Sequence, residues 1–371
     1  MNFQFEHHLT LDPAGAIDEQ TLAVPARWCV MVLTDADDRP VQLLCAKNVR
    51  ALLRRRLTGA DEVEGPSRRI DYRSLVRGVS WRRVDSSFEM DVIYLQAART
   101  FFPDRWRSIV PQRTALFVSI DESVTHPKFQ IVTDPTKTRG AVYGPFTEKS
   151  RAERWIESAQ DVFDLCRYHN ILVQAPNGRA CTYKEIGRCL APCDGSQPMD
   201  DYRKLISLSI RSIDEPTGAR DALTNDMKRL ASEMKFESAG ALKQRLDRLT
   251  KFVGLESHVR RIEAFRFLTI QPGPKPGTAK LFDVGTGSIT ESAGIIDENI
   301  ELGSLTSSNN PSSEFDTELV ALAAHHLTSR KAEGQWLNSE VSRAVQRKAI
   351  RAVMTRNAPD ESESVEAMRE S

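Results

Sequence analysis

Four of the six cysteines, Cys166, Cys181, Cys189 and Cys193, fall within 28 consecutive positions, with gaps of 15, 8 and 4. In a reducing compartment, clustered thiols bind metal more often than they pair as disulfides. Four thiolates suit an iron–sulfur cluster or tetrahedral zinc, and the spacing alone does not separate these from four unligated thiols. Cys29 and Cys45 lie in short apolar segments and read as small buried residues. A second chemical feature is basic. Residues 47–107 carry 14 Lys/Arg against 8 Asp/Glu, including the acid-free run Lys47, Arg50, Arg54, Arg55 and Arg56. Such a surface suits contact with nucleic acid, and a solvated helix face is the alternative.

Several elements must position these residues. The segments WCVMVLT (28–34) and VQLLC (41–45) are β-rich and flank the turn-like DADDRP, so they predict a hairpin. Val49, Leu52, Leu53 and Leu57 then recur at helical spacing. A further helix is expected over about 89–101, with strands at 114–120 and 128–133. The cysteine-rich loop is framed by predicted helices at 147–166 and 200–213. From 219 to 253 the apolar residues fall into heptads, Leu223, Met227, Leu230 and Met234, then Leu242, Leu246, Leu249 and Val253. The interruption at KFES predicts an antiparallel helical hairpin, which packs either on its own protein or on a partner. Strands are expected within 262–296 and a helix at 316–329, and no internal repeat is evident.

The segment CTYKEIGRCLAPCDG (181–195) closely resembles the pattern C-x-x-Y-x-x-G-R-C-x-x-P-C-x-G of the UvrC excinuclease subunit family, including its shorter Cho-like members. Cys181, Tyr183, Gly187, Arg188, Cys189, Pro192, Cys193 and Gly195 occupy the family positions. VYGPF (142–146) is similar to the family's F-G-P-Y/F element, and Cys166 takes the place of its first cysteine. KFESAGALKQRLDRL resembles the UVR motif through Phe236, Glu237, Ala239, Leu242 and Arg245, with departures at Gly240 and Lys243. TDADDRPVQLLCAKNVRALL is similar to the family's N-terminal GIY-YIG stretch.

That resemblance implies DNA repair by nucleotide excision in the SOS response to damage. It implies a four-iron four-sulfur cluster on Cys166, Cys181, Cys189 and Cys193, with zinc as the alternative. It implies a UVR hairpin that meets the UvrB hairpin through Phe236, Glu237, Ala239, Leu242 and Leu246. It also implies a nuclease domain whose site needs tyrosines, an Arg or Lys, and a metal-holding glutamate. Those positions fall on Met31, Gln42, Cys45, Leu52 and Gln96, with Leu44 at the close-approach glycine. Met31 and Gln42 lack a phenol, and the neutral Gln96 amide holds a hard cation poorly. The GIY-YIG-like domain is therefore expected to be degenerate, with DNA contacted through Lys47, Arg50, Arg54, Arg55 and Arg56.

The expected fold class is α+β. It comprises a degenerate GIY-YIG-like α/β domain (1–105), linker strands and a cysteine-rich helical region (106–215), and a UVR helical hairpin (216–255). A small β-rich α+β region (256–330) and a weakly structured, acidic tail (331–371) complete it. The expected function is non-catalytic repair with UvrB and DNA as partners. The alternative is a Cho-like endonuclease with a rearranged site at Arg50, Asp91 and Tyr94. At 371 residues, 40% hydrophobic, 27% charged and net charge +0, the chain reads as globular. It shows no run near the ~18 apolar residues of a membrane helix. A start without a basic, apolar leader makes a cytoplasmic location the expectation.

Overall fold

The computed structural model describes residues 3–59, 71–296, 314–331, 333–338 and 341–356. The chain divides into two compact units, one of 1–112 with 266–311 and 328–371, the other of 113–265 with 312–327.

The first unit begins with an antiparallel sheet of strands β1 (His7–Thr10), β2 (Cys29–Thr34), β3 (Pro40–Ala46) and β4 (Gly78–Arg83), in the order β1-β4-β2-β3. Strand β2 is buried along its whole length, and its side chains alternate between two cores. Cys29, Met31 and Leu33 join Val49, Leu53 and Leu57 of helix α1 (Val49–Thr58). Val30 and Val32 join Ile93, Ala97 and Ala98 of helix α2 (Ser87–Phe101). The expected hairpin and both helices are present. Helix α1 starts where the Asn48 side chain accepts the Ala51 N–H, and α2 where Ser86 accepts that of Glu89. Gly59, at φ 70°, ends α1 in the left-handed conformation that a residue without Cβ adopts at least cost. Strands β1 and β4 were not foreseen from sequence.

The second unit is built on β5 (Leu116–Ile120), β6 (Gln130–Val132), β7 (Ala141–Phe146) and β8 (Arg260–Arg261), in the order β6-β5-β7-β8. Helix α3 (Lys149–Phe163) lays Trp155 onto this sheet, its ring 5.5 Å from Tyr143 and 5.8 Å from Phe129. Helix α4 (Met199–Asp214) adds Tyr202, Ile206 and Ile210 to the same core. Helices α5 (Pro216–Ser232) and α6 (Phe236–Leu255) form the expected hairpin around a three-residue turn at Glu233–Lys235. Its base is pinned to the unit: Phe252 meets Trp155 at 5.1 Å, and Arg151 holds Glu256 with two 2.7 Å bonds. Helix α7 (Thr317–Thr328) is almost wholly buried from Leu319 to Ala324.

The rest of the first unit is a second antiparallel sheet of β9 (Phe267–Pro272), β10 (Ala279–Val284), β11 (Ile289–Ile296) and β12 (Gln335–Asn338), in the order β11-β10-β9-β12. Helix α8 (Arg343–Arg356) covers it with Ala349, Ile350, Val353 and Met354. Strand β12 and helix α8 lie in the stretch read from sequence as weakly structured. Lys280 of β10 is buried against Asp85 (2.8 Å) and Glu89 (2.6 Å), the latter on α2. A buried lysine needs such partners to stay charged. Among the described residues, no helix is long and apolar enough to cross a membrane.

Candidate functional site

The cysteine region starts where α3 ends. Asp164 caps α3 in a left-handed conformation (φ 52°), and the turn sends Leu165 and Cys166 into the core. The Cys166 thiol faces the Tyr168 carbonyl at 3.6 Å, and the Cys189 sulfur accepts the Ala191 N–H at 3.4 Å. The Cys193 sulfur lies 4.0 Å from the Arg179 carbonyl. A hydrogen bond between Cys166 and Cys189 pushes the Cys166 thiol up and draws Cys189 down to about 7. Burial raises Cys193, with Asp194 and Cys189 adding to the effect.

Three of the four sequence-predicted thiols are thus buried in one electrostatic neighbourhood. Cys181 is half-exposed at the start of the short helix Thr182–Glu185 and enters none of these contacts among the described residues. Tyr202, fully buried, hydrogen-bonds the Cys166 backbone from α4. The loop is braced by Lys184, whose ammonium reaches Asp194 at 2.7 Å, and by the Gly178 N–H on the Cys193 carbonyl at 2.8 Å. A Cβ at position 178 would stand 2.9 Å from that carbonyl, so glycine is required there. Thiolates and nearby backbone N–H groups are the donor chemistry of a thiolate-bound metal group, and the residues fit one in kind. Among the described residues, no three His, Cys, Asp or Glu side chains are arranged to hold a metal ion.

The positions at which the resemblance would place nuclease residues occupy packed or neutral surroundings. Met31 has no exposed surface and stands opposite Leu44 on β3. Gln42 pairs with Leu33, and its buried amide oxygen has no partner among the described residues. Leu52 and Gln96 are half-buried. Burial pushes up the thiol of Cys45, with Asp91 adding to the shift. The Tyr94 hydroxyl donates to the Leu43 carbonyl at 3.4 Å, and burial raises it too. Asp91 is buried on α2, whereas Arg50 on α1 donates to the Val24 and Leu22 carbonyls on the other face of the sheet. The fold does not bring Arg50 together with Asp91 and Tyr94.

The basic run is also distributed. Lys47 lies over the Trp28 ring at 5.6 Å, Arg54 pairs with Asp18 at 2.7 Å, and Arg56 lies over Tyr72 at 5.8 Å. Arg55 is exposed. Sequence reading did not single out a tighter basic and aromatic cluster just after α2. There, Arg99 and Arg107 flank Trp106 at 4.6 and 4.4 Å, and Arg105 lies over Phe102 at 4.8 Å. The alternation of aromatic and arginine in FFPDRWR was the available signal.

On the hairpin, Met234 (79%) and Phe236 (68%) are exposed at the turn, and Glu237 is exposed beside them. Ala239 is buried, while Leu242 and Leu246 are half-buried along the seam. Arg245 turns inward, its Nε donating to the Val162 carbonyl at 3.0 Å.

Residues 115–212 match the family described as "UvrC/Cho excinuclease, middle domain". A UvrABC system protein C of Natronomonas pharaonis is 30% identical over 129 residues, 34% of this chain and 22% of that protein. That of Leptospira biflexa is 29% identical over 140 residues, covering 36% and 22%. That of Halobacterium salinarum is 31% identical over 123 residues, covering 32% and 20%. The similarity thus spans about a fifth of the length of these relatives. No solved structure matches the chain. The resemblance read from the cysteine pattern holds across the middle of the chain.

Proposed function

Because residues 115–212 are similar to a UvrC/Cho middle domain, we propose that this UvrC-like chain acts in nucleotide excision repair without cutting DNA. The observation that carries the non-catalytic reading is the burial of Met31, in a core shared with helix α1, at the position where a nuclease tyrosine would have to reach substrate. A general base must come within hydrogen-bond reach of the proton it takes, and a thioether sealed in a core takes none.

The partner would be UvrB, met by the exposed end of the α5–α6 hairpin. The base of that hairpin is occupied by its own unit, which leaves Met234 and Phe236 as the apolar surface at the turn. Cys166, Cys181, Cys189 and Cys193 would hold an iron–sulfur cluster, zinc being the alternative. Such a group would tie α3 to the loop and to α4, a structural part that needs no reaction. The chain's own residues bury Cys166, Cys189 and Cys193 and deliver the Ala191 N–H to the Cys189 sulfur.

Pull-down with purified UvrB tests the partner. Retention is expected with the native chain, falling at least ~10-fold in Phe236→Asp, a loss of about 1.4 kcal/mol of binding. Equal or absent retention of both would overturn it. Supercoiled plasmid incubated with magnesium and UvrB is expected to remain intact. Nicking that Asp91→Asn abolishes would restore the endonuclease reading.

A further inference from the structure

We infer that the exposed face of helix α8, carrying Arg343, Arg347, Lys348 and Arg351, binds the phosphodiester backbone of DNA independently of sequence. This rests on the repair function proposed above and names a surface on which the chain would hold its DNA. From Arg343 to Arg356 the helix has five cations, these four and Arg356, and no acid. All five are exposed, and none forms an ion pair among the described residues. Arg343, Arg347 and Arg351 step by four, so they line one side of the helix at intervals of about 6 Å along its axis.

Like charges four residues apart destabilise a helix, and a bound polyanion removes that cost. Exposed cations on three other helices are neutralised within their own element, Lys149 by Glu153, Lys204 by Asp201 and Arg229 by Asp226. Helix α8 has no such acid, and the sheet beneath it offers none. That sheet has two, Asp283 on β10 and Glu291 on β11. Burial raises the Asp283 carboxyl, with only Ser292 opposing, and Glu291 pairs with Arg82 at 3.5 Å. The apolar side of α8 is already used, since Ala349, Ile350, Val353 and Met354 are buried on the sheet. It therefore has no face to sink into a lipid surface, and its cations stand on a fixed base. Guanidinium groups present the forked donors that match phosphate oxygens. Residues 357–371, which follow directly, carry five acids and one arginine and are the rival occupant of this face.

Fluorescence anisotropy of the full chain with a short labelled duplex of arbitrary sequence, titrated from low to moderate salt, tests the surface. Arg347→Ala/Arg351→Ala is expected to bind at least ~10-fold more weakly, with a salt slope smaller by about 2. Arg347→Lys/Arg351→Lys should keep most of the affinity, because the charge is retained. The control Lys204→Ala/Arg229→Ala removes the same charge from cations already paired, and should bind nearly as the native chain does. Native-like binding by Arg347→Ala/Arg351→Ala, or an equal loss in the control, would overturn this surface alone. A native chain that binds no duplex, and gains none in Asp360→Asn/Glu361→Gln/Glu363→Gln, would overturn the DNA contact of the proposed repair function. Binding that appears only in that acid-neutralised variant would assign the face to residues 357–371 instead. Because both arginines are exposed and repel each other, Arg347→Ala/Arg351→Ala is expected to melt no lower than the native chain.

Discussion

The N-terminal sheet and the cysteine region treat their chemistry-bearing positions in opposite ways. In the sheet, Met31 and Leu44, at positions where the resemblance would place nuclease residues, stand opposite each other in the packing, and α1 and α2 cover its two faces. In the cysteine region, the fold draws Cys166, Cys189 and Cys193 into one buried neighbourhood. The two regions place different demands on their residues, because packing depends on volume and apolarity while chemistry depends on particular polar atoms.

The largest effect that would break this comparison lies in the thiols. Anaerobically purified native chain is expected to carry iron and sulfide, and Cys189→Ser to lose nearly all of both by metal analysis and visible absorption. Equal iron in the two, or none in either, would remove the contrast. A smaller effect sharpens the other side. Met31→Tyr is expected to lower stability by about 1–3 kcal/mol, because it forces a larger, polar-tipped side chain into a filled core. Denaturant titration measures it, and a stable variant that nicks plasmid would show a latent site instead.

The smallest effect concerns the hairpin base. Burial, opposed by the Glu256 carboxylate, holds His258 below its ordinary range, and its Nε2 lies 3.2 Å from the Pro145 carbonyl. The unfolded chain then binds the proton more readily than the folded one. This contribution to stability is complete above about pH 6.5, the ordinary histidine value, and is lost as pH falls below it. Melting temperature is expected to drop from pH 7.5 to 5.5, with a shallower drop in His258→Gln. An identical drop in both would remove this histidine from the base.

Much of the order of elements was legible in residue periodicity. The heptads around KFES, the alternation on β2 and the helix carrying Trp155 follow from which side chains must leave water. Strand β1 escaped notice because HHLT is exposed and borrows its pairing from β4. Helix α8 escaped because its sequence is rich in arginine, and only the four apolar residues on one face declare it. Edge strands and highly charged helices are held by tertiary partners, which local pattern does not display.

By itself the sequence determined the resemblance, since the spacing from Cys181 to Gly195 is a local, one-dimensional property. It also determined the absence of phenol and carboxylate at Met31, Gln42 and Gln96, because no fold can supply an atom that the chain lacks. Tertiary structure alone decided that Cys166, Cys189 and Cys193 are buried while Cys181 is half-exposed. It likewise decided that Arg50 is bound to Leu22 and Val24 while Arg99 and Arg107 share Trp106. Which groups a charge meets depends on which distant backbone and rings reach it, and that is settled only when the chain is packed.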